Sequence, residues 1–181
     1  LKVGIDPGLN GAIAFYQSPE KIWLFDMPTR TVEWKKPKIK KVIRGRGPTR
    51  REVKEETHKM RVDVRKLAQW IRNAPHPVEK VSLEIVHSMP RDGVASAFSF
   101  GGAFYSALSA VELAGHDPVM VFPQAWKGPI GLVGTSKDAA RVLALEKYPQ
   151  LAEKLKFKKN VDRADALWIA LHEFKLKKKK K

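Results

Sequence analysis

The 181 residues include 35 Lys and Arg against 19 Asp and Glu, a formal charge of +16. That imbalance asks for a polyanionic partner, and the length suffices for one domain with a real core plus basic extensions. The absence of cysteine excludes a disulfide framework and a thiolate metal site; with no apolar run expected to reach the roughly 20 residues that span a bilayer, nucleic acid is preferred to a membrane as partner. Leu1 to Ile5 predicts a short buried strand, with Asp6 at its tip and a Pro7-Gly8 turn behind it. Gly11 to Tyr16 and Lys21 to Met27 predict two more strands, completing an antiparallel meander. The chain begins inside a strand and without an initiator Met, so residues are expected to precede it and no targeting segment can be read.

From Arg30 to Lys66 there are 15 Lys and Arg against 5 Asp and Glu, punctuated by Pro37 and Gly45-Arg-Gly-Pro48. This stretch predicts an exposed basic hairpin or loop. A helix follows from about Val62 to Asn73, stopped by Pro75-His-Pro77. Val81 to Val86 is a fourth strand, and the loop His87 to Val94 leads to a long helix from about Ala95 to Ala114. Pro118 to Phe122 is a fifth strand, Pro123 to Lys127 a short helix or turn, and Gly128 to Gly134 a loop. Ser136 is expected to cap a helix through Tyr148, and a last helix runs from about Asp162 to Phe174. The order βββαβαβα suits an α/β fold, a mixed five-stranded sheet with helices on both faces in the ribonuclease H-like manner.

Acids stand where a core does not want them. Asp6 ends the first strand, Glu84 lies within an apolar strand, and Asp162 and Asp165 share one face of the last helix. Each has a local alternative: Asp6 capping its own turn, Glu84 facing solvent at an edge, and the Asp pair answering the helix dipole. The proposed fold brings all of them together. Two like charges about 4 Å apart repel by roughly 4 kcal/mol at an effective dielectric near 20, so four clustered carboxylates need compensation. Oxygen-only ligands select Mg²⁺, with Mn²⁺ as a substitute, over zinc. Two such ions would suit phosphodiester hydrolysis, which points to a metal-dependent nuclease.

Gly4-Ile-Asp-Pro-Gly8 with Gly11-Ala-Ile-Ala14, Leu83-Glu84, Pro123-Gln-Ala-Trp-Lys127, Ser136-Lys-Asp138 and Asp162-Arg-Ala-Asp-Ala-Leu167 together resemble the RuvC-type Holliday junction resolvases. The resemblance covers nearly the whole chain apart from the basic stretch and the lysine tail. It implies one nuclease domain over residues 1–174, a basic insertion at about 35–58 and a basic tail at 175–181. It also implies a homodimer making paired, symmetrical nicks in four-way DNA junctions with Mg²⁺, in the two-ion arrangement above, held by Asp6, Glu84, Asp162 and Asp165. Lys127 and Lys137 are similar to the family lysines that approach the scissile phosphate, with Lys137 suited to stabilising developing charge. A solvated lysine is the alternative at both positions.

His87, Met89 and Arg91 occupy the loop that the family inserts at the crossover, although an ordinary loop has the same letters. Lys35, Lys36, Lys38, Lys40, Lys41, Arg50 and Arg51 read as a phosphate-contacting arm with little base readout. Lys154-Leu-Lys-Phe-Lys-Lys159 and Phe98-Ser-Phe-Gly-Gly102 look like the plant and algal chloroplast branch or its phage relatives. That implies a plastid location, with the cytoplasm of a bacterium or phage-infected cell as the alternative. Two other readings stay open: a ribonuclease H acting on RNA–DNA hybrids, and a non-catalytic protein that binds junctions or other nucleic acid.

Overall fold

The first strand, β1 (Lys2–Asp6), is apolar on both faces because it lies in the middle of a sheet covered on both sides; Val3 and Ile5 are fully buried. The structure is a computed structural model describing residues 1–32, 36–44, 50–87 and 93–172. β2 (Ala12–Ser18) and β3 (Lys21–Asp26) complete the expected meander, with Asp6 opposite Ala12 and Ala12 opposite Asp26. The turn between β1 and β2 is closed by the Gly11 N–H donating to the Gly8 carbonyl at 3.0 Å. A Cβ on Gly11 would collide with the Asp6 carbonyl oxygen, so the chain can reverse this tightly only through glycine.

The basic stretch is a hairpin on a neck. β4 (Thr29–Thr31) pairs with β7 (Met60–Val62) at the root, while β5 (Lys38–Arg44) and β6 (Arg51–Thr57) pair in seven registered positions beyond it. The neck strands escape sequence reading because three polar-flanked residues carry no period. α1 (Val64–Arg72) starts two residues later than expected, where the Asp63 side chain accepts the Lys66 N–H at 3.1 Å and caps it. Leu67, Ala68 and Ile71 form its buried face.

β8 (Lys80–Glu84) lies parallel to β1, and β9 (Val119–Val121) lies parallel to β8, giving the order β3-β2-β1-β8-β9. This is the expected ribonuclease H-like mixed sheet. Between them runs α2 (Val94–Leu113), which corrects one expectation: by length and composition it is apolar enough to cross a membrane. Its Ala103, Ala107, Ala110 and Val111 pack in the core with α1 and the sheet.

α3 (Pro123–Lys127) and α4 (Ala139–Lys147) follow. Ser136 does not cap α4; Asp138 holds the cap position, with its carboxylate taken by Arg141 at 2.6 and 2.8 Å. Ser136 offers its carbonyl to the Ala139 N–H at 3.1 Å. α5 (Val161–Leu171) is buried along most of its length. The expected continuation to Phe174 and the lysine tail lie outside the described residues.

Two cores result, one on each sheet face. Val3, Ile5, Ile13 and Phe15 pack against α1 and α2. Ala12, Ala14 and Leu24 pack with Trp126, Ala144 and Leu167 from α3, α4 and α5. A Cβ on Gly4 would strike the Ala166 carbonyl oxygen and the Ala170 backbone, so α5 rests directly on β1. That close approach brings the first turn of α5 over the end of β1.

Candidate metal centre

Asp6 stands at the end of β1, the central strand of the sheet, and Asp162 and Asp165 come from the opening turns of α5. Carboxylate oxygens of these three all lie within 4.8 Å of one another, a spacing one hard cation can bridge. The geometry thus joins acids 156 and more positions apart in sequence. Each keeps part of its surface in the cleft, which is the route for an ion, yet protein surrounds each closely enough that desolvation dominates its titration.

Burial drives the Asp6 carboxyl well above the ordinary range, and the charges of Glu84, Asp162 and Asp165 push it the same way; Lys127 opposes them. Asp165 is pushed up to about 7, first by burial and then by Glu84 and Asp162, against Lys127. Asp162 is raised by burial and by Asp26, with Lys137 countering. A carboxylate cluster that two lysines leave undercompensated fits a divalent cation by donor chemistry alone. Cysteine is absent from the chain, and all three donors are hard oxygens.

Glu84 stands apart from this trio. It is close enough to raise both Asp6 and Asp165, but one of its oxygens accepts the Trp126 indole N–H at 2.8 Å. Its own carboxyl is raised by burial, with that hydrogen bond and Lys127 pulling back. Trp126 is almost wholly buried, and the sequence reading passed over it in favour of its neighbour Lys127. The signal was present: an indole four residues after a strand end is a ready donor for an acid on the adjoining strand.

Lys127 and Lys137 share a cleft of about 250 Å³ with Asp162 and Asp165. A second cleft, of about 490 Å³, runs past Asp6 and Asp162 between the Gly8–Gly11 turn and α2, where Ser96 and Phe100 face it. Arg163, between the two helix acids, holds both oxygens of Asp26 at 2.6 and 2.7 Å and donates to the Lys154 carbonyl at 2.8 Å. This pair fastens the start of α5 to the end of β3, and sequence reading missed it because the partners lie on separate elements.

No family model matches the chain, and no curated protein does. Among solved structures it is similar to Thermus thermophilus RuvC, at 16% identity over 95% of this chain and 92% of that one, with a TM-score of 0.47. It is also similar to T. thermophilus RuvC in complex with Holliday junction substrate, at 18% identity over 97% and 93%, with a TM-score of 0.45. The similarity is structural, at low identity. It carries nothing about the chemistry of this chain, which rests on the residues of the site.

The remaining expected site residues are placed as follows. His87 is exposed three residues beyond β8. Met89, Arg91 and Lys35 lie outside the described residues. Lys36 is exposed two residues before β5, and Arg50 is exposed immediately before β6. Lys38, Lys40 and Arg51 share one hairpin face with Arg44, since side chains alternate along a strand. Lys41 is on the other face, 2.9 Å from Glu52. The arm is therefore basic on one face only: four cations against Glu55 there, and Lys41 and Lys54 against Glu52 and Glu56 on the other.

Proposed function

We propose that this protein is a divalent-metal-dependent endonuclease that resolves four-way DNA junctions. The observation that carries the nuclease reading is the convergence of Asp6, Asp162 and Asp165 beside two lysines in an open cleft on a +16 chain. Bound there, Mg²⁺ or Mn²⁺ supplies Lewis-acid polarisation of a phosphodiester and a water of lowered pKa.

Asp6 and the two α5 acids would hold the cation, with Glu84 beside them on the indole of Trp126. Lys127 and Lys137, which line the cleft with Asp162 and Asp165, receive the phosphate and stabilise the charge that grows on it. The basic hairpin face carries Lys38, Lys40, Arg44 and Arg51 to the backbone of a junction arm, where phosphate contacts fix position without reading sequence. The choice of a junction over plain duplex rests on the ordered motif set in the sequence.

Two copies are needed for paired nicks, and α2 supports a seam. Val94, Phe98 and Tyr105 recur along one helix stripe and are 87, 79 and 66% exposed. The test is incubation of the protein with mobile and fixed four-way junctions, linear duplex and an RNA–DNA hybrid, with Mg²⁺ or with chelator. Symmetrical, Mg²⁺-dependent nicking of junctions alone is expected. Equal cutting of linear duplex removes the junction assignment, preference for the hybrid moves it to ribonuclease H, and binding without metal-dependent cutting removes catalysis.

A further inference from the structure

Away from the acids, the other side of the sheet edge opens into a cleft of about 570 Å³ between β3 and α1. Its walls are aromatic: Phe15 and Phe25 meet edge-on at 6.2 Å, and Phe25 leans on Trp70 at 5.2 Å, with Trp23 beside them. Phe25 is 40% exposed, an unusual position for a phenyl ring on a strand of the main sheet. The rim is cationic, with Arg30, Arg65 and Lys66 against Asp63, whose carboxylate already accepts the Lys66 N–H. Lys66 also lies over the Trp70 ring, its Nζ 5.5 Å from the centroid. Gln69 on α1 and Asn73 at its C-terminal cap, one helical turn apart, add amide donors and acceptors to the same cleft.

Flat apolar faces, cations at the mouth and amides within reach match a ligand with a π-face, an anionic linkage and a polar edge. A peptide would meet the apolar wall but has no use for three rim cations unless it is acidic. A nucleotide uses all three features. We infer that this cleft binds one unpaired nucleotide of single-stranded DNA, its base stacked among Phe25, Trp23 and Trp70 and its phosphate at Arg65 and Lys66.

The site is separate from the metal centre yet linked to it through one strand. Side chains alternate along β3, so Phe25 faces α1 while Asp26 faces the Arg163 side. Asp26 lies two strands from Asp6 in register, about 10 Å at ordinary strand spacing. A strand displaced near the metal centre has a place to park a base around the sheet edge. The inference rests on the nucleic-acid reading for the class of its occupant, but not on catalysis.

The experiment uses the full chain with chelator present and an oligothymidylate carrying a single 5-iodouracil. Photocrosslinks are expected at Trp23, Phe25 or Trp70; crosslinks confined to the basic hairpin or the acid cleft overturn the inference. In parallel, Phe25→Ala is expected to weaken oligothymidylate binding about tenfold, the scale of losing one stacked base. The slope of affinity against salt and the affinity for duplex should not change. Equal loss on duplex and single strand, or no loss on either, also overturns it. Failure of the wild-type protein to bind any nucleic acid sinks the nuclease reading too, whereas normal junction cutting with no cleft crosslink sinks only this one.

Discussion

The Trp126 indole donates to Glu84 at 2.8 Å across 42 residues of sequence, so the fourth acid of the site is held by a neutral donor rather than by its three carboxylate neighbours. That bond stabilises the ionised form of Glu84 where burial opposes it. Trp126→Phe keeps an aromatic ring in the core and removes the N–H. Hydrogen bonds to charged groups are worth about 1.5–3 kcal/mol, so Glu84 should ionise at higher pH in the variant. The expected result is an alkaline shift of the pH–cleavage profile and a need for more Mg²⁺ to reach half-maximal activity, measured on a four-way junction. An unchanged profile would show that the indole only fills space.

Asp6 is forced well above its ordinary titration range by burial and then by the charges of Glu84, Asp162 and Asp165. Asp6→Asn removes one buried charge while keeping shape and hydrogen-bonding atoms. Without metal, the variant should melt at a higher temperature than the natural sequence at pH 8, because a repelling charge is gone. With Mg²⁺ added, the natural protein should gain stability by mass action and the variant should not. Junction cleavage is expected to be lost and junction binding kept. A variant that melts lower and gains with Mg²⁺ would place Asp6 in the structural turn alone.

The raised carboxyl of Asp165, at about 7, makes stability without metal depend on pH. In the unfolded chain an Asp titrates near 3.9. Between roughly pH 4 and 7 the folded state binds more protons than the unfolded state, so stability falls as pH rises through that window. The contribution is fully present below about pH 4 and is gone above the folded value. Asp6, Asp162 and Glu84 are raised as well and act in the same direction. Metal binding competes with these protons, so Mg²⁺ should stabilise the protein more at pH 8 than at pH 5. Thermal melts at the two pH values, with Mg²⁺ and with chelator, read this directly.

Gly4 permits α5 to lie on β1, and the obstacle a methyl group meets is backbone rather than a side chain that can move. Overpacking of this kind costs about 1–3 kcal/mol, and the upper end is expected for Gly4→Ala. Lifting α5 also moves Asp162 and Asp165 away from Asp6. Denaturant unfolding should show the loss of stability, and the metal-induced melting shift should shrink with it. A stable Gly4→Ala protein with an intact metal response would mean that the helix can ride outward without disturbing the acids.

Much of the architecture is legible locally. β1 reads from an apolar run ending in Asp-Pro-Gly, α1 from its buried spacing, and the hairpin from a charged stretch broken by Gly and Pro. Helix starts are less legible: Ser136 looks like a cap, but Asp138 stands at the cap position with its carboxylate taken by Arg141 rather than by a helix N–H. The three-residue strands of the neck have no pattern to read, and their partners lie about 30 residues apart in the chain.

By itself, the chain's order of residues determined the mixed sheet, the basic arm, the four candidate acids and the preference for an oxygen-ligated cation, because periodicity and residue chemistry are local properties. Only the tertiary structure decided that Asp6, Asp162 and Asp165 meet within 4.8 Å while Glu84 turns to an indole. It alone paired Arg163 with Asp26 across 137 residues and left an aromatic cleft open beneath Phe25. Such partnerships are made by packing one element against another, and no repeat along the chain encodes the distance between two side chains that sequence keeps far apart.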